Sequence, residues 1–181
     1  TDSTGSLLEA KIVLVPLLED GSLAINDGHR RPYLGEGRLG NGIRHLTRTV
    51  TGEGVVFVEP GSYRVFASHG PEYSRGETDV TVAAGDGVAL ELVLTHEVDT
   101  TGWINGDFHL HEEPSFDSGM KLKKRIETAV VEGLDLAVAT DHDVITDYAP
   151  VLKELQLESR MASGIGVELS SLEMGHFIAF P

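Results

Sequence analysis

Cysteine is absent from this chain of 181 residues. Its absence excludes disulfides, thiolate zinc sites and thiol nucleophiles, and leaves the compartment open. Basic residues are scarce: 14 Lys and Arg face 29 Asp and Glu, for a net charge of −15. That balance argues against nucleic acid or an anionic membrane as a partner, because phosphate backbones are bound by Lys and Arg that displace counterions. A small anionic substrate stays compatible with it where bound cations reverse the local field. No apolar run is long enough to span a bilayer. The opening residues, Thr1 to Ser6, carry neither a basic region nor a hydrophobic core, so no signal peptide is expected. Aromatic residues are few, at 6 %, while 21 glycines imply many turns. An apolar fraction of 40 % still suffices for a core, and the length allows one large domain or two small ones.

What is present follows two patterns. Residues 1–100 read as all-β. Strand candidates at 11–18, 55–58, 63–68, 79–83 and 88–95 are separated by the turn signals Asp20-Gly21, Glu59-Pro60-Gly61, Gly70-Pro71 and Gly85-Asp86-Gly87. Residues 27–50, rich in Gly and Arg and without a period, predict a long loop. Short strands with regular turns predict a small β-sandwich, with Tyr63 as one of its packing residues. From residue 101 onward the pattern changes. Residues 103–111 predict a strand. Residues 118–132 predict a helix with Leu122, Ile126, Ala129 and Val130 as its apolar stripe, Asp117 or Ser118 as its cap and Gly133 as its end. The Lys121–Arg125 run falls on its outer face. A buried strand at 134–140, a helix at 150–157 and strands at 165–170 and 176–180 follow. Alternating strands and helices predict a parallel sheet or barrel.

The chemistry gathers where such folds place it, at the C-terminal ends of strands. Asp107-Phe108-His109-Leu110-His111 ends the first strand, and two histidines two apart on a strand face the same way. Thr140-Asp141-His142-Asp143 ends the second. Glu168 lies late in the third, and His176 opens the fourth. Imidazoles and carboxylates together suit Zn, Mn or Fe ions. Each signal has a bland reading alone. Thr-Asp-His-Asp makes a turn with Asx bonds, and Asp117 makes an N-cap. Glu168 on an apolar strand is harder to dismiss, because a buried carboxylate needs a partner. Taken together and in this order, the residues predict a metal site. Asp107, Asp141 and Asp143 are expected to orient ligands rather than bind metal. His29, His45, His69 and His96 carry no such pattern and read as surface or structural residues. Glu112 and Glu113 read as solvated charge.

The series Asp107-Phe108-His109-Leu110-His111, Asp117, Thr140-Asp141-His142, Gly166-Val167-Glu168 and Gly175-His176 resembles the PHP (polymerase and histidinol phosphatase) domain. The closest likeness is to the CehA/McbA-type metallohydrolases, in which a carboxypeptidase-regulatory-like β-domain precedes the PHP domain. Glu59-Pro60-Gly61-Ser62-Tyr63, Gly70-Pro71-Glu72-Tyr73-Ser74 and Val98-Asp99-Thr100-Thr101-Gly102-Trp103 are similar to that branch too. The resemblance implies a β-sandwich over residues 1–100 and, over 101–181, the first half of a distorted (β/α)7 barrel. It implies divalent ions, two or three in the complete site. His109 and His111 would bind one, Glu168 would bridge to a second, His176 would join that second ion, and Asp117 and His142 would bind a third. The implied activity is hydrolysis of a phosphate ester by a metal-bound hydroxide, with no protein nucleophile. The same chemistry applied to a carbamate or carboxylic ester is the first alternative, and a non-catalytic binding or assembly module is the second. The family pattern continues with another His and an Asp-x-His pair, which do not occur before Pro181. The resemblance thus implies a fragment incomplete for catalysis, its barrel completed by further sequence or by another chain. Pairs of a β-domain and a hydrolase point toward an extracytoplasmic site.

Overall fold

The computed structural model describes residues 1–24, 34–35, 43 and 45–181. It divides into two compact units, Thr1–Asp99 and Thr100–Pro181.

The first unit is built on one five-stranded sheet. Its strands are β1 (Ala10–Pro16), β2 (Leu34–Gly35), β3 (His45–Thr49), β4 (Gly61–Ser68) and β5 (Gly76–Val82), in the order β2-β3-β1-β4-β5. β1 is antiparallel to both β3 and β4, and β4 to β5. The period of two is plain in β4, where Tyr63, Val65 and Ala67 are buried between less buried neighbours. Tyr63, Val65, Leu14 and Val80 form the core, against which Ile12, Val82, Val56, Val58 and Leu92 pack. The Tyr63 hydroxyl donates to the Glu59 carbonyl at 2.8 Å, so its polar end is satisfied inside that core. Two expectations change here. Residues 55–58 and 88–95 cover the sheet with apolar side chains, but only Leu94 among them pairs, in an isolated bridge to Asp2. The described residues therefore form one sheet with an apolar cover, not two laddered sheets. The loop predicted over 27–50 is interrupted by β2 and ends in β3; positions 27–33, 36–42 and 44 lie outside the described residues, His29 among them.

The second unit holds β6 (Gly106–Leu110), α1 (Leu122–Val131), β7 (Leu136–Ala139), α2 (Ala149–Leu155), β8 (Ala162–Ile165), β9 (Val167–Ser171) and β10 (Gly175–Ala179). β6, β7 and β8 form a parallel sheet in that order. β7 is buried and β-branched or small throughout its inner run, with Ala137, Val138 and Ala139 nearly sealed from solvent. α1 turns Ile126, Ala129, Val130 and Val131 to the interior. It ends as its sequence predicts: Gly133 takes φ 75°, its N–H donates to Val130 at 3.0 Å, and Leu134 N–H donates to Ala129 at 3.0 Å, a Schellman closure. Its start comes later than predicted, because Asp117 and Ser118 serve the loop before it and do not cap it. Trp103, expected on the first strand, lies instead in a turn whose Gly102 has φ 85°.

β10 also departs from expectation. It runs antiparallel to β9 as a hairpin and is not a fourth parallel strand. β8 and β9 are separated by a single bend at Gly166, where a Cβ would sit 2.9 Å from the Ala139 carbonyl oxygen and 3.0 Å from that of Ala179. Only glycine lets the chain pass there. No closed barrel is present among the described residues. No described helix is long and apolar enough to cross a membrane.

Candidate metal centre

Three loops bring the predicted ligands together. The first begins at the end of β6. The ladder between β6 and β7 shifts register between Asp107 and Leu110, and Asp107 Oδ1 accepts the His109 N–H at 3.0 Å. Thr140 then locks the far end: its N–H and hydroxyl both donate to the Leu110 carbonyl, at 2.9 and 3.2 Å. The second loop follows β7. Asp143 adopts φ 55°, which Asp tolerates better than most residues, and its N–H donates to the Glu168 carbonyl at 2.9 Å. The third piece is the hairpin. An isolated bridge pairs His142 with Glu168, and the β9–β10 register sets His176 opposite Ser170.

The result is a cluster of His109, His111, Asp117, His142, Glu168 and His176. Glu168 is its centre, with a side chain only 5 % exposed. Its Oε2 lies 2.9 Å from His109 Nε2, 2.8 Å from His111 Nε2 and 3.8 Å from His142 Nε2. Its other oxygen, Oε1, lies 2.7 Å from His176 Nδ1. Asp117 reaches His111 Nδ1 at 3.1 Å and His142 Nε2 at 3.3 Å. Three triads follow, each with ligand atoms within 4.8 Å of one another: His109, His111 and Glu168; His111, Asp117 and His142; His142, Glu168 and His176. These groups could hold a metal ion.

Two features of the cluster fit a cation. His111 Nε2 is buried and lacks an aligned hydrogen-bond partner although a carboxylate oxygen is 2.8 Å away. Two lone pairs turned toward one spot suit a shared positive charge better than each other. His142 donates or accepts at Nδ1 with the Ser170 hydroxyl, 2.7 Å away, which turns its Nε2 into the cluster. That is the outer hydrogen bond expected of a ligating imidazole.

The electrostatics run the same way. Burial pushes the Glu168 carboxyl up, but the imidazoles of His109, His142 and His111 outweigh it and hold the group below the ordinary carboxylate range. Hydrogen bonds from His111 and Ser115 bring Asp117 down to about 2. Both are anionic at neutral pH, as ligands must be.

Asp107, Asp141 and Asp143 act on backbone amides. Asp107 serves His109 N, Asp141 Oδ1 accepts the Glu112 N–H at 2.7 Å, and Asp143 Oδ1 accepts the Ser170 N–H at 3.0 Å. They set the chain that carries the ligands and not the imidazole rings themselves.

Several contributors escaped the sequence reading. Ser115 donates to Asp117 at 2.8 Å and accepts the His142 N–H at 3.1 Å, tying two loops together. Phe116, 77 % exposed, stacks on the His142 ring with centroids 4.4 Å apart. Glu112, expected in solvent, is fully buried and pushed by that burial to about 6. Arg125, expected on the outer helix face, turns inward to it. Period-based reading assigns a charged residue to solvent unless its phase says otherwise. The signal available was parity: continuing the alternation of the predicted strand by one residue past His111 puts Glu112 on the side of Leu110, toward the interior. The described histidines of the first unit have other surroundings. His96 faces Glu72 at 3.1 Å, and His69 packs edge-on against Tyr73. His45 is buried on β3.

Comparison of the chain with known protein families, with curated proteins and with solved structures gives no match.

Proposed function

We propose that the second unit is the metal-binding part of a PHP-type hydrolase acting on phosphate esters. The observation that carries this reading is Glu168, buried among imidazoles with its two oxygens turned to different triads. A carboxylate in that position would help hold more than one cation. Bound Zn, Mn or Fe ions supply Lewis acidity, lowering the pKa of water and stabilising charge on phosphoryl oxygens. The chain's own residues do the rest. Glu168, Asp117 and the four imidazoles would hold the ions, and the two carboxylates would balance part of their charge. His109 and His176, half exposed, border the side open to solvent, where substrate enters. Ser115, Ser170 and the three aspartates hold this geometry through the backbone and His142.

One observation favours a second reading. The exposed ring of Phe116 gives the site an apolar wall, which suits a carbamate or carboxylic ester attacked at carbonyl carbon. Metal analysis of the chain reconstituted with divalent ions, followed by parallel assays of the full chain with an aryl phosphate and an aryl ester, separates the two. Two or three ions per chain, loss of them in His109→Ala, and turnover of the phosphate are expected. Absence of bound divalent metal removes the hydrolase reading; turnover of the ester alone replaces phosphate with a carbonyl ester.

A further inference from the structure

Beneath the ligands lies a polar group that belongs to none of the triads. Glu112, directly after His111, is 0 % exposed. Its Oε1 accepts the hydroxyl of Tyr148, itself fully buried at the start of α2. The same oxygen is 3.2 Å from Arg125 Nε. Arg125 reaches over from α1, and its Nη2 donates to the carbonyl oxygen of His111 at 2.7 Å. The Ser118 hydroxyl donates to that carbonyl as well, at 3.0 Å. On the other side of the peptide, the Glu112 N–H donates to Asp141 Oδ1 at 2.7 Å, and the second Asp141 oxygen accepts the Thr146 hydroxyl. One peptide unit, the link between His111 and Glu112, is therefore gripped at its carbonyl from α1 and at its amide from the loop after β7.

A buried ion pair is by itself weak evidence for stability. Desolvation offsets most of the attraction, and apolar residues of the same volume often serve the fold as well. What distinguishes this pair is where its free donor goes. The guanidinium is a planar fork: its Nε stands 3.2 Å from a carboxylate oxygen as an ion pair without an aligned hydrogen bond, while its Nη2 donates to a carbonyl, an arrangement an ammonium point charge does not reproduce. Tyr148 donates to the carboxylate, the carboxylate pairs by charge with the guanidinium, and the guanidinium donates to the main chain of a residue shared by two triads.

We infer that Glu112, Arg125 and Tyr148 are positioning residues that set the ligand geometry of His111 through its carbonyl oxygen without contacting an ion. This rests on the metal-site reading above. The test uses the full chain with Co(II) as probe. Affinity is measured calorimetrically, ligand geometry by the visible spectrum of the bound ion, and folding by thermal unfolding in chelator. Arg125→Met keeps the stem and removes every donor; Arg125→Lys restores a donor without the fork. Co(II) affinity is expected to fall about 10- to 100-fold in Arg125→Met, the range for loss of an outer partner, with a changed spectrum. Arg125→Lys is expected to recover part of both. Glu112→Gln, equal in volume and retaining an acceptor for Tyr148, provides the same comparison where Arg125→Met does not fold. Wild-type protein that binds Co(II), with variants that bind it equally well and with the same spectrum, overturns the positioning role alone. Wild-type protein that binds no Co(II) overturns the metal site and the positioning role together.

Discussion

At the scale of single residues, the centre depends on which ring nitrogen each imidazole offers. Ser170 decides this for His142, since its hydroxyl occupies Nδ1 at 2.7 Å and leaves Nε2 for the cluster. Replacing Ser170 by Ala removes that partner without touching a ligand. The expected outcome is metal binding weakened about 10-fold, read by calorimetry, with metal-free unfolding little changed; equal affinity would show that the ring is set by packing alone. The grouping of the six candidate ligands was legible in the sequence because strand parity, strand ends and residue type all point one way. Ser115, Ser170 and Phe116 were not, because nothing in their spacing separates them from ordinary loop and strand residues. Glu112 and Arg125 were misread for the opposite reason. Charge is a strong general signal of exposure, and here it is overridden by a partner that is distant in sequence and close in space.

Secondary-structure elements carry the next level. In the first unit, β4 and β5 are joined on their outer face by Arg64 and Asp79, which are register partners and form two parallel bonds of 2.6 and 2.8 Å. The hydrogen bond to Arg64 lowers the Asp79 carboxyl below its ordinary range. A lowered acid stabilises the fold above its unfolded pKa and ceases to do so as pH falls through the folded value. The stability gap between wild type and Asp79→Asn, followed by chemical unfolding, should be small, as for surface pairs generally. It should be constant from neutral pH down to the usual aspartate range and close below it. A gap that widens in acid would mean the pair does not form in solution. In the second unit, both helices and the strands β6, β7 and β10 followed from hydrophobic period, but the single strand expected at 165–170 is two, β8 and β9, in different sheets. The end of α1 followed from Gly133. Its start did not, because a cap and a loop partner are the same residue types, and Asp117 and Ser118 are used by His111. The antiparallel turn of β10 was equally hidden. A strand's period gives its faces but not its direction.

For the whole molecule, every candidate ligand lies in the unit spanning Thr100–Pro181. Ion binding should therefore stabilise that unit by mass action, about 2.7 kcal/mol for one site at a free metal concentration 100 times the dissociation constant. Hydrogen exchange of amides in β7 and α1, compared with Mn(II) and with chelator, should slow by about 100-fold under those conditions; rates that do not respond to metal would leave the cluster as a network of ordinary hydrogen bonds. The candidate ligands also come from two sheets that share no ladder: His109 from β6 and His111 just beyond its end, Glu168 and His176 from the β9–β10 hairpin. An ion held between them joins points 59 residues apart along the chain. In a protein without cysteine it would be the cross-link. By the chain-entropy model for a loop of that size, such a tie removes roughly 4 kcal/mol of freedom from the unfolded state, so the proposed metal centre would also act as the chain's missing disulfide.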